Sequence, residues 1–276
     1  TAAALGARGA GPPVAAGFTT HYPEVPSCDE TAYARQVAYR WAVPWHPVPF
    51  APAEVFAGLE PAFALHDGPI FPASTSIGKT MDAARADGVD VLLAGQVGDD
   101  WLEQSGDELS LALLRGDWGA LGRWTAFGLR QRGWRGPMRT GWRLARAMRN
   151  RLRGDRAESL FENRAANFYL RSALETEERE GLIRNIRVEF PFCDHELAAL
   201  LAGLRPGVRA APGVPKRITR EAMADRLPEA VRDRLDATFF DPLLAAAVDG
   251  NAPILVNQRY VDAWRRQLAN PTVSPT

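Results

Sequence analysis

The feature that most constrains this chain is a repeated order: an apolar run, a loop, an amphipathic helix, then another apolar run. "PVAAGFTT" (13–20) is short, apolar and bounded by turn residues, as a buried strand requires. Ser27 and Glu30 stand at capping-box spacing. They open a predicted helix in which Tyr33, Val37 and Trp41 recur every four residues before Pro44 ends it. "HPVPF" (46–50) reads as a short strand whose prolines place it at a sheet edge. A second helix is predicted over 76–87, with Ile77, Met81 and Ala84 on one face and Gly88 as its stop. Val91, Leu92 and Leu93 follow at once as a buried, central strand. Strands separated by helices predict a parallel sheet with right-handed crossovers, covered on both faces. In such sheets ligands bind beyond the carboxyl ends of the strands.

The segment just past that third run reads Gly95-Gln96-Val97-Gly98-Asp99-Asp100. Two adjacent carboxylates at the mouth of a core are costly unless a cation or hydrogen-bond donors offset them. Magnesium with nucleotide phosphates meets that need, because it takes one or two carboxylates and keeps waters and phosphate oxygens. The alternative is structural: Asp99 or Asp100 caps the helix that follows. "SIGKT" (76–80) ends like a phosphate-binding loop, but that pattern needs a glycine where Ala73 stands. Lys79 and Thr80 are therefore read as ordinary helix residues.

From Asp107 to Asn185 the period is helical, broken by a glycine- and arginine-rich stretch at 133–141. Between Arg115 and Arg156 there are twelve arginines against Asp117 and Asp155, with Trp118, Trp124, Trp134 and Trp142 interleaved. Arg139, Arg143, Arg146, Arg149 and Arg153 recur at three- and four-residue steps and give one basic helical face. That face is either solvated, or attracts an acidic partner, or contacts nucleic acid. The tryptophans are read as packing residues. Over all 276 residues the net charge is +0, which gives no general attraction to nucleic acid or to an anionic membrane.

"IRVEFPFCDHELAALLAGL" (186–204) alternates like a strand through Ile186, Val188 and Phe190. It then turns at Pro191 into a helix capped by Asp194, with Leu197, Leu200, Leu201 and Leu204 as its apolar stripe. Residues 215–234 give two short helices, the second with Pro228 at its first position, and a last helix is predicted near 257–268. Cys28 and Cys193 match neither a metal spacing nor a disulfide framework. No run is long enough to span a membrane, and nothing at the start reads as a signal peptide, so the expected setting is cytoplasmic. "TAAALGARGAG" reads as the second half of a helix, so an upstream element is expected.

Four of these stretches occur in the order found in the synthetase domain of the asparagine synthetase family. "LLAGQVGDDW" resembles that family's SGEGGDE or TGxGGDE motif, and "VEFPFCDHEL" resembles its R-x-P-F-L-D-x-x-L segment. "KRITREAMADRLPEAVRDR" is similar to K-x-x-L-R-x-A-x-x-x-L-P-x-x-V, and "CDETAYARQVAYRWAVPWHPVPF" to the DE-x-x-YA-x-x-V-A helix and its following strand. The resemblance implies an α/β fold with a parallel-sheet, adenine-nucleotide alpha-hydrolase-like (ATP-pyrophosphatase) part over 1–106, incomplete at its amino end. A mainly helical part follows over 107–276. It implies ATP and Mg2+ as cofactors, adenylation of a carboxylate with release of pyrophosphate, and attack of an amine on the acyl-adenylate. Asparagine synthetases, beta-lactam synthetases and lasso-peptide cyclases share this logic. By position, Asp99 and Asp100 would bind the metal, and Lys216 would stabilise charge in the transition state. Gln96 would stand among the catalytic residues, and Phe18, Gly95 and Gly98 would contact the nucleotide. The implied partners are a small-molecule or peptide carboxylate, and a glutaminase domain or peptide-modification protein.

The departures from the family pattern carry as much information. The SGGxDS loop belongs directly before "TAAAL", so the 276-residue chain alone is expected to show little or no adenylation. Gln96 replaces a glutamate and cannot act as a base, which weighs against free asparagine synthesis. Asp100 replaces another glutamate, and Val97 stands where glycine is usual and would cramp a turn that glycine relaxes. Arg187 and Glu189 invert the family's E-x-R; two apart on a strand, they share a face and could form the same ion pair swapped. These variants lean toward natural-product or peptide modification. The other reading is a non-catalytic relative that keeps a partner surface, while a nucleic-acid-binding role is disfavoured by the acidic loop and the even charge.

Overall fold

The first apolar run forms β1 (Gly17–His21), and after helix α1 (Thr31–Arg40) the chain returns as β2 (Trp45–Pro49). The two strands pair in parallel, in register from Gly17 opposite Trp45 to His21 opposite Pro49. This is a computed structural model. It describes residues 13–57, 75–102, 108–130, 135–153, 168–204, 208, 211–212, 214, 216–235 and 238–247. Among these, β2 has β1 as its strand neighbour, the edge setting that Pro47 and Pro49 call for. The predicted capping box does not form. Ser27 is taken up in a 3₁₀ turn, Pro26–Cys28, and Glu30 makes no side-chain capping bond. Asp29 does that work instead: its carboxylate accepts from the Thr31 backbone N–H at 3.1 Å and the Thr31 hydroxyl at 3.0 Å.

Helix α2 (Glu54–Ala57) precedes α3 (Thr75–Ala86), which ends at Gly88 with φ 78° and leads into β3 (Val91–Leu93). Lys79 and Thr80 are helix residues here, and Lys79 pairs with Glu54 at 2.5 Å. After β3 come α4 (Gly98–Leu102), α5 (Glu108–Leu114), α6 (Trp118–Arg130), α7 (Arg135–Leu152) and α8 (Phe168–Leu182). Strand β4 (Arg187–Glu189) then pairs in parallel with β3, Val91 opposite Arg187 and Leu93 opposite Glu189. A 3₁₀ turn (Pro191–Cys193) leads to α9 (His195–Gly203), α10 (Arg217–Ala222), α11 (Glu229–Arg232) and α12 (Asp241–Ala247).

The fold is thus mixed α/β, with short parallel strand pairs and many helices. The single sheet covered on both faces is corrected: the described residues hold two two-stranded parallel pairs. Helix α3 joins them. Met81 and Ala84, with Ile186, pack on Phe18 of β1, Leu92 of β3 and Val188 of β4. The reading of β3 as fully buried is also corrected, because Val91 and Leu93 are 44% and 50% exposed. Alternation along a strand puts these two opposite Leu92, so only one face of β3 meets the core. Helix α8 closes on β4 at Gly181, where a Cβ would lie 2.7 Å from both the Ile186 carbonyl oxygen and Val188 Cγ2.

Helices α5, α6 and α7 pack around Leu109, Ala112, Leu113, Ala120, Trp124 and Ala147. The break expected at 133–141 is absent from 135 onward, since α7 runs through Pro137 and Gly141. Pro137 lies in the first turn, where backbone N–H groups have no intrahelical acceptor to lose. Of the tryptophans read as packing residues, Trp124 is buried, Trp118 and Trp142 are exposed, and Trp134 lies outside the described residues. Asp194 caps α9 as predicted, accepting from the Leu197 N–H at 2.8 Å. Leu201 from the predicted stripe is buried and Leu197 and Leu204 pack beside it, but Leu200 is exposed. Pro228 is the N-cap of α11 rather than its first residue. The readings at 1–12 and 257–268 lie outside the described residues. No helix among the described residues is long and apolar enough to cross a membrane.

Candidate functional site

The loop after β3 is built on one strained residue. Val97 is buried and has φ 72°, the left-handed region that a β-branched side chain rarely enters. The turn it makes is closed by the Gly98 N–H donating to the Gly95 carbonyl at 3.3 Å. Burial holds it there: Val97 packs with Leu102, Leu170 and Leu201, with Phe192 and Ile218 against the same cluster. The sequence-level expectation that valine would cramp this turn is therefore met as backbone strain. Gly98 sits close under Phe192: a Cβ there would lie 3.3 Å from two carbons of the ring, which would have to shift to admit it.

With Val97 turned inward, its neighbours face other partners. The Gln96 amide donates to Glu177 Oε1 of α8 at 2.5 Å. Glu177 is only 7% exposed, and burial pushes its carboxyl above the ordinary carboxylate range, partly offset by the Gln96 hydrogen bond. Asp99, in the first turn of α4, forms an ion pair with Lys216, the residue that starts α10. Lys216 has φ 53°, and Ile218, two residues on, is seated in the same cluster as Val97. One core thus anchors both partners of the ion pair, and Lys216 supplies a cation to Asp99.

The other site residues expected from the sequence fall as follows. Gly95 is exposed, with open space where a Cβ would stand. The side chain of Asp100 lies outside the described residues. Phe18 is half-buried on β1, its ring stacked on His46 at 5.1 Å between centroids and packed beneath α3. Its described contacts do not join it to Asp99 or Lys216. The Arg187–Glu189 ion pair does form, at 3.0 Å on an exposed face of β4.

Among the described residues no group of three or more His, Cys, Asp or Glu side chains gathers as a metal cluster. Magnesium does not need one, because phosphate oxygens and waters complete its octahedron around one or two carboxylates. Asp99, largely exposed in the first turn of α4 beyond the carboxyl end of β3, fits the part of one such carboxylate.

Sequence reasoning missed Glu177. Its signal is a carboxylate on an apolar helical face: Leu170, Leu174, Glu177 and Gly181 recur at four- and three-residue steps on α8. Glutamate is almost never buried without a partner.

The model of the asparagine synthase family matches residues 2–270. No curated protein matches the chain. Since the family match covers nearly the whole length and includes the loop carrying Asp99 and the helix start carrying Lys216, the chain belongs to the asparagine synthase family.

Proposed function

We propose that this chain is the synthetase part of an ATP-dependent amide-forming enzyme with an ATP-pyrophosphatase-type fold, acting in natural-product or peptide modification. The observation that carries the reading is the convergence of Lys216 on Asp99 from two distant motifs. In the proposed reaction a substrate carboxylate oxygen attacks the α-phosphorus of ATP and the bond to pyrophosphate breaks. An amine then attacks the acyl carbon, the bond to AMP breaks, and the nitrogen gives up a proton. In this reaction Lys216 would neutralise the charge that develops on phosphate and acyl oxygens. Asp99, with Asp100 next to it in sequence, would hold Mg2+ on the nucleotide phosphates, where the ion neutralises charge and orients the polyphosphate. Gln96 cannot take the proton. Glu177, buried and hydrogen-bonded to Gln96, carries a carboxyl that burial raises above its ordinary range, and it is the group proposed to receive it.

A second reading, a non-catalytic relative that binds a partner, is favoured by Val97, which strains the motif loop, and by Gln96, which removes its carboxylate. One experiment separates the two: carboxylate-dependent exchange of labelled pyrophosphate into ATP by the full-length gene product, screened over peptide and small-molecule carboxylates. Exchange that Asp99→Asn and Lys216→Ala abolish supports the synthetase. Absence of exchange with every carboxylate supports the partner-binding protein.

A further inference from the structure

Helix α7 has an inner face and an outer seam, and among the described residues the inner face carries its packing. Thr140, Ala147 and Asn150 are buried against α5 and α6. On the opposite side Met138, Gly141, Ala145, Met148 and Leu152 follow one another at alternating three- and four-residue steps, the spacing of a helix-packing seam over two heptads. This seam is open. Met138, Met148 and Leu152 are 66%, 51% and 81% exposed, the adjoining Trp142 is 63% exposed, and nothing lies within 4 Å of a Cβ built on Gly141. Exposed apolar surface in a continuous stripe marks an interaction site.

The charge beside the seam selects among occupants. By helical spacing Arg146 and Arg149 of α7, with Arg153 just past its end, run along one edge of the seam, and no Asp or Glu occurs between Asp117 and Asp155. Arg146 sits over the Trp142 ring, 5.9 Å from its centroid. A second copy of α7 would bring two such arginine sets together and be repelled. A nucleic-acid backbone gains nothing from the methionines and Leu152. A lipid surface rewards bulk along the middle of an inserted face, and here the middle is Gly141 and Ala145. Small residues at that place do something else: they let another helix approach closely.

We propose that the outer face of α7 docks an amphipathic helix of a partner polypeptide, with an apolar stripe on the seam and carboxylates facing the arginines. This inference stands apart from the amide-forming reading, because none of its residues belongs to the Gln96–Glu177 or Asp99–Lys216 groups.

The test uses the full chain and a labelled synthetic three-heptad peptide with Leu at the seam positions and Glu at the flanking ones. A peptide with Lys at the flanking positions is the control. Fluorescence anisotropy should show the Glu peptide binding at least about tenfold more tightly than the Lys peptide. Ala145→Trp, which blocks close approach, and the triple change Arg146→Glu, Arg149→Glu, Arg153→Glu should each weaken binding by about tenfold or more, with circular dichroism unchanged. Equal binding of the two peptides, or insensitivity to Ala145→Trp, would overturn the proposal. So would self-association of the chain through this face, or preference for phosphatidylglycerol vesicles or a DNA duplex over the Glu peptide.

Discussion

Lys216, at the start of α10, forms an ion pair with Asp99 in the first turn of α4, while the aliphatic residues beside both, Ile218 and Val97, share one buried cluster. The apolar contact positions the backbone, and the charges meet at the surface above it. Position and chemistry are therefore separable by mutation.

An exposed ion pair contributes about 0–1 kcal/mol to stability. Asp99→Asn and Lys216→Ala should accordingly leave the thermal midpoint nearly unchanged. The same changes should reduce pyrophosphate exchange by about 10²–10³, the loss typical of removing a transition-state charge partner. Parallel melting and exchange measurements check this; a shared loss of both would assign the pair to the fold alone.

Val97 reverses the usual order of alanine and glycine. At ordinary positions glycine is worse than alanine by roughly 0.5–1 kcal/mol. At φ 72° alanine keeps the strain while glycine releases it, and both lose the same buried packing of valine. Val97→Gly should therefore be more stable than Val97→Ala by about 1 kcal/mol in urea denaturation, although both fall below the native protein.

Glu177 makes stability depend on pH. Its carboxyl is raised in the folded chain by burial, so folding binds a proton more readily than the unfolded chain does. That contribution is fully present below the ordinary carboxylate range and is lost as pH rises through the raised value. Glu177→Gln keeps an acceptor for the Gln96 amide and removes the titration. Urea midpoints taken across a pH series should show the variant gaining on the native protein as pH rises from the ordinary carboxylate range through the raised value, and a constant difference above it. A difference constant over the whole series would contradict the assignment.

The adjacent leucines of α9 differ sharply in burial. Leu201 is buried in the cluster under the loop, whereas Leu200 is exposed. Leu201→Ala should cost about 2–5 kcal/mol and Leu200→Ala less than about 0.5 kcal/mol, read from chemical denaturation midpoints.

These differences show which parts of the fold the sequence could disclose. Local signals survived where chemistry and geometry coincide: Gly88 ends α3 because only a left-handed residue fits there, and Asp194 caps α9 through its own side chain. Ser27 and Glu30 failed because the spacing of a capping box is necessary but Pro26 draws Ser27 into a different turn. Leu200 and Leu201 are indistinguishable by composition, and only the tertiary neighbours decide which one is inside. At the site, Lys216 and Asp99 were legible through motif resemblance. Glu177 was not, because it lies in the acidic run "ETEERE" and is distinguished only by facing Gln96. Phe18 was expected against the nucleotide on resemblance; its described neighbours are His46 and the α3 cluster.

The division of the strands has a dynamic consequence. Among the described residues β1–β2 and β3–β4 share no ladder, and their link is side-chain packing beneath α3 through Met81, Ala84 and Ile186. Amide protons in the two pairs are therefore protected by separate sets of hydrogen bonds, and each pair can open as its own cooperative unit. Shrinking Met81 should uncouple their exchange rates, leaving the Asp99 loop to breathe with β3 and β4 while β1 and β2 remain closed.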